Sequence, residues 1–176
     1  MSILKVDTIN EKTSGNGVHI PGHIVQVVSA TKTDTLFSQS TTNVDITGLS
    51  VTITPKSSTS KILIMFDVHY IGNDAGGGLQ LVRGSTDIAI ADASGSRSRF
   101  TAIGMYSNNT SPSAYSGGAT TANFLDSPAT TSATTYKLQG RVLSSSGFQI
   151  NMTRYNTDNG NASRGVSTIT AMEIAQ

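Results

Sequence analysis

The sequence predicts an all-β fold: a jelly-roll or β-sandwich head preceded by a short extended N-terminal arm. Three observations predict it. From Lys61 to Ile71 the chain alternates strictly, with Ile62, Ile64, Phe66, Val68 and Tyr70 on one face and Leu63, Met65, Asp67 and His69 on the other. Period-two alternation of β-branched and aromatic residues marks a strand with one deeply buried face. No segment sustains a 3.6-residue apolar period over ten or more positions. The remaining apolar runs are short and set apart by Gly, Pro, Asn and Ser, which suggests eight to eleven strands in two packed sheets.

Composition fits that architecture. The chain has 176 residues, enough for one compact domain and an arm. Charged residues are 13%, aromatics 6% and apolar residues 36%, while 48 residues are Ser or Thr. The net charge of +1 and the strong apolar strands separate it from disordered chains, which are poor in apolar residues and highly charged. So thin a core gives a marginal monomer, because ordering each residue costs about 1–2 kcal/mol and apolar burial returns only about 25 cal/mol per Å². Assembly is the ordinary way to bury more surface.

The first segment, residues 1–22, is read as the arm. It offers Ile3, Leu4, Val6 and Ile9, then Val18 and Ile20, joined through Gly15-Asn16-Gly17. Asn-Gly suits a tight turn with positive φ. These patches are too small for a core and call for a partner surface. Pro21-Gly22 closes the arm, and residues 23–176 form the head.

Within the head, strands are expected at His23–Thr31, Thr35–Ser38, Asn43–Thr54 (stopped by Pro55), Lys61–Ile71 and Leu79–Arg83. Asp87–Asp92, Phe100–Tyr106, Thr121–Leu125, Thr134–Leu143, Phe148–Arg154 and Gly165–Ala175 continue the series. Ser107–Gly118 reads as a loop, Ser144–Gly147 as a hairpin loop and Asp158-Asn159-Gly160 as a turn. The second face of Lys61–Ile71 is half apolar, so Leu63 and Met65 suit contact with a neighbouring subunit or a covering strand.

Catalytic and metal-site patterns are missing. With no cysteine, disulfides and thiolate metal sites are excluded. His19, His23 and His69 lack ligand spacing, and solvated histidines beside a Pro-Gly turn are the better reading than an axial metal site made by three copies. No nucleophile elbow, zinc-protease helix or phosphate loop occurs. Asn156–Asn161 resembles a calcium loop only in its alternating oxygens, and a turn is preferred. Neither a cofactor nor a metal is expected, and the acids are too scattered to mark a glycosidase pair. No basic run points to nucleic acid, and no stretch approaches a signal peptide or membrane span. Arg97, Arg99, Arg154 and Arg164, with Tyr106, Tyr115 and Tyr155, are loop residues that suit anionic groups or sugars, if those loops share one end; isolated solvated arginines are the simpler reading.

Leu4-Lys5-Val6-Asp7-Thr8-Ile9, followed by Gly15-Asn16-Gly17-Val18, resembles the N-terminal segment of virion fibre proteins of tailed bacteriophages, notably those of cyanobacteria and other marine hosts. Ser60–Ile64 and Arg164–Ile174 are similar to the jelly-roll head of the same proteins. The resemblance implies a C1q/TNF-like homotrimer whose arm docks on other virion proteins or intertwines about the trimer axis. It places Val166, Thr168, Thr170, Met172 and Ile174 near the three-fold axis. It also implies a virion location, on the tail or the capsid exterior, after synthesis in the host cytoplasm. A tail fibre or spike displaying the head to a host-surface glycan or protein is the first expectation. A capsid-decorating or head-fibre protein is the second, and a carbohydrate-modifying enzyme is a distant third.

Overall fold

Pro21 and Gly22 turn the chain into the sandwich. His23 N–H donates to Ile20 C=O at 2.9 Å, and Gly22 has φ +81°. Pro at the second and Gly at the third position of such a turn define type II geometry. The computed structural model describes residues 7–10, 20–74, 76–108 and 115–176. Among these there are twelve strands and no α-helix. They are β1 (Ile24–Lys32), β2 (Leu36–Ser38), β3 (Val44–Ile53), β4 (Lys61–Asn73), β5 (Gly77–Arg83) and β6 (Thr86–Ile88), then β7 (Ala102–Ile103), β8 (Met105–Ser107), β9 (Ala119–Asp126), β10 (Thr134–Val142), β11 (Phe148–Ile150) and β12 (Ser167–Ile174).

Two sheets face each other. In the first, β12 lies between β1 and β4, and β9 takes the other edge of β4, all antiparallel. The far end of β4 is flanked by β11 and by the parallel β8. In the second sheet β10 lies between β3 and β5, and β6 and β7 pair with β5. The chain crosses between the sheets at β3, β4, β5, β8, β10 and β11, which is the jelly-roll pattern.

The core is the space between them. Ile62, Ile64, Phe66, Val68 and Tyr70 all point inward, as their alternation predicts. They meet Leu49, Val51 and Ile53 of β3, Leu79 and Leu81 of β5, and Tyr136 and Leu138 of β10. The aromatic end is tightly specified. Tyr70 stacks on Phe148 with ring centroids 5.3 Å apart, and its hydroxyl donates to Arg141 C=O at 2.8 Å. Gly140 leaves room for that stack, since a Cβ there would lie 2.9 Å from Phe148 Cζ.

Most strand bounds shift by a residue or two; three expected strands end early or divide, and a fourth is bulged, each at an identifiable residue. β6 ends at Ile88 because Ala89 adopts φ +53°. The Phe100–Tyr106 run divides at Gly104: β7 joins the second sheet and β8 the first, and Gly104 lies against the Tyr70 ring. β11 stops at Ile150 because Asn151 takes φ +62°. β3 bulges around Gly48 (φ +89°), which shifts its register against β10 between Lys137 and Gln139.

Candidate functional site: the two outer sheet faces

Side chains opposite one another on neighbouring strands share a face. On the outer side of the first sheet this produces an apolar row across four strands: Val27 of β1, Met172 of β12, Leu63 of β4 and Leu125 of β9. Ile24 and Ile174 continue it towards one end. Val27 is 53% exposed, Ile24 49% and Leu125 46%, while Leu63, Met65, Met172 and Ile174 are half-buried. The next row is mixed, with Ser29, Thr170, Met65 and Asn123. The one after it is polar, with Thr31, Thr168, Asp67 and Thr121. Hydrophobicity thus fades along the strands from the Ile174 end towards His69.

Six of the assembly candidates, Leu63, Met65, Thr168, Thr170, Met172 and Ile174, therefore lie on one face. Val166 is exposed just before β12. Val27, Leu125 and Ile24 belong to the same patch and were missed from the sequence, because neither β1 nor β9 shows which face will be covered. Only the register discloses it. Of the arm residues, Ile3, Leu4, Val6 and Val18 lie outside the described residues; Ile9 and Ile20 are exposed.

His69 closes the polar end of this face. It lies between Gly117 and Gly165, either of which would meet its ring if it carried a Cβ. Its Nδ1 is buried without a hydrogen-bond partner among the described residues, and burial holds its pKa below the ordinary histidine value. His23 is exposed and His19 lies outside the described residues.

The loop residues separate into three groups. Arg154 binds Asp74 through both forks, at 2.6 and 2.5 Å, and donates to Ser107 C=O next to Tyr106. Its neighbour Tyr155 meets Tyr115 edge to face, with centroids 5.6 Å apart. Arg164 faces the Asn156–Ala162 turn and approaches Met152 Sδ at 3.9 Å. That turn is held by its own groups: Asn159 Oδ1 accepts from Asn161 N–H, and Asn159 C=O accepts from Ala162 N–H. Arg97 and Arg99 lie on the other sheet, in the β6–β7 connection that folds across the outside of β5. The loops do not form one ring of arginines.

Several carboxylates are occupied by the fold. Asp126 accepts from Arg83 at 2.8 Å and from the Tyr136 hydroxyl at 2.7 Å, tying the two sheets together at one edge. Glu173 is fully buried, accepting from Gln26 Nε2 and from Lys56 N–H. Among the described residues no three His, Asp or Glu side chains are grouped as a metal site would require. No protein-family model matches the chain, and no curated protein matches it.

Proposed function

We propose that this chain is a structural protein of a tailed-bacteriophage virion, a trimeric fibre or spike component without catalytic activity. It attaches through its N-terminal arm and displays the sandwich outward to the host. The observation that carries this reading is the apolar row Val27–Met172–Leu63–Leu125, an exposed surface in the middle of a regular sheet. Exposed contiguous apolar patches rimmed by polar groups mark interaction surfaces. A second copy of the chain is the natural cover, since the Val27–Met172–Leu63–Leu125 row itself carries no charged side chain, with Lys61 flanking it beside Ile174, and the thin core leaves stability to be gained. The arm residues Ile3–Ile9 and Val18–Ile20 serve contact with other virion proteins. Engagement of Asp74, Asp126 and Glu173 within the fold supports the non-catalytic part of the reading.

The test is to measure the solution mass of the full chain by light scattering and to locate it by antibody labelling of phage particles. A trimer on the particle surface is expected. A stable monomer, or a protein absent from the particle, overturns the reading. Labelling on the capsid instead of the tail shifts the role to decoration.

A further inference from the structure

The second sheet presents the opposite chemistry on its outer side. Arg97, Arg99 and Arg141 line one open depression of about 380 Å³, together with Asn43, Asp87 and Ser98. Arg83 and Arg154 each grip a carboxylate, but these three arginines make no ion pair among the described residues. Arg141 Cζ lies over the Phe100 ring, 4.8 Å from its centroid, and its Nε is buried without a hydrogen-bond partner among the described residues. Arg97 is pinned to Ser94 Oγ at 3.0 Å, and Arg99 reaches Ala91 C=O at 3.5 Å. Those contacts orient the guanidinium groups without pairing them to a carboxylate, and Asp87, which lines the same depression, leaves a net positive charge there. Like charges converge at a cost unless an anion joins them, and a fixed planar fork matches carboxylate and sulfate oxygens.

We propose that this depression binds an acidic saccharide, its carboxylate or sulfate held by Arg97, Arg99 and Arg141. Asn43, Asp87 and Ser98 supply the amide, carboxylate and hydroxyl partners that sugar hydroxyls need. A nucleic acid fits less well. Among the described residues no aromatic side chain lines the depression to stack on bases, and the chain's net charge is only +1, with no basic run to track a continuous polyphosphate. The proposal deepens the display half of the reading above: the apolar face of the first sheet assembles, and the basic face of the second meets the ligand.

The test is calorimetric titration of the full chain in about 0.15 M salt, where the screening length is about 8 Å. The probes are oligogalacturonate, a sulfated oligosaccharide of equal length, a neutral maltooligosaccharide and single-stranded oligothymidylate. Binding of either acidic saccharide and not the neutral one is expected, and the two acidic arms identify which acid group is read. The exposed pair Arg97→Gln/Arg99→Gln weakens it about tenfold or more, and Arg141→Lys, which keeps charge but loses the planar fork, weakens it similarly. Lys137→Gln, on the same sheet but already paired with Asp45, leaves it unchanged. No binding of an acidic saccharide, full affinity in the double variant, or tighter binding of oligothymidylate overturns the proposal. Light scattering on the same samples keeps the two claims apart. Trimers that bind no saccharide sink only the ligand, and monomers that bind it sink only the assembly.

Discussion

Ser167 Oγ donates a 2.6 Å hydrogen bond to Asn151 Oδ1, and both residues are closed off from solvent. Asn151 Nδ2 reaches the carbonyls of Lys32 and Asp34 at 2.8 and 3.0 Å, and its backbone N–H donates to His69 C=O. His69 N–H in turn donates to Ser167 Oγ. One residue, through its side chain and its backbone N–H, thus joins the β1–β2 connection, β4, β11 and β12. It does so at φ +62°, a conformation Asn tolerates better than other residues with a Cβ.

Asn151→Ala should therefore cost about 3 kcal/mol, from buried polar groups left unpaired and a strained backbone. Asn151→Gly relieves the strain but not the lost bonds, and should cost about 1 kcal/mol less. Urea unfolding at fixed protein concentration measures both. A loss under about 0.5 kcal/mol for Ala would mean that the network is redundant.

The Asp126–Tyr136 pair predicts alkaline sensitivity. Burial and then the Asp126 carboxylate push the Tyr136 hydroxyl well above the ordinary tyrosine value, and burial does the same to Tyr70. A raised folded-state pKa means that the unfolded chain loses its phenolic proton first. The stabilisation is complete below the unfolded value, about pH 10, and declines as pH rises beyond it, by up to about 1.4 kcal/mol per pH unit per tyrosine. Thermal midpoints should fall steeply from about pH 10 upward, and Tyr136→Phe should flatten that fall. An unchanged slope in Tyr136→Phe would assign the effect elsewhere.

Much of the fold was legible because one strand was so regular. The alternation of Lys61–Ile71 placed five core residues correctly, and the absence of helical periods fixed the class. Two of the misjudged strand ends share one cause: a single positive-φ residue ends a run whose pattern continues on paper. Ala89 and Asn151 take positive φ without glycine to announce it. β3 is subtler. Ile46 and then Leu49, Val51 and Ile53 are buried, so the inward phase changes across Thr47-Gly48. That change is visible in the sequence once a bulge is considered. The apolar outer face was half legible: Leu63, Met65, Met172 and Ile174 show it within their own strands. Val27 and Leu125 join only through pairing, which a single sequence does not reveal. Arg141 was overlooked for the same reason, since it lies far along the chain from Arg97 and Arg99 and meets them only across the second sheet.

Gly104 shows what that division of strands requires. A Cβ at this position would overlap the Tyr70 ring, which is itself fixed by Phe148 and Arg141. Gly84, by contrast, has φ +61° and open space around it. Gly104→Ala should cost about 2–3 kcal/mol through overpacking, and Gly84→Ala about 1 kcal/mol through torsion alone. Unfolding midpoints of the two variants rank them. A reversed order would mean that Tyr70 has room to move.

The apolar row on the first sheet makes the sharpest claim about assembly. Leu63 sits at its centre, between Met172 and Leu125, and points away from the core. Leu63→Lys should leave the monomer folded, with an unchanged far-ultraviolet spectrum, because the new ammonium reaches water from a half-buried outer position. In an assembly that covers the row the same charge is desolvated without a partner, at a cost of several kcal/mol. Thr121→Lys, exposed at the polar end of the same face, is the matched control. Sedimentation should show trimers for the unsubstituted chain and Thr121→Lys, and monomers for Leu63→Lys. The thermal midpoint should rise with concentration only in the first two, because association adds stability by mass action. Persistence of the trimer in Leu63→Lys would place the interface on another surface and leave this row uncovered.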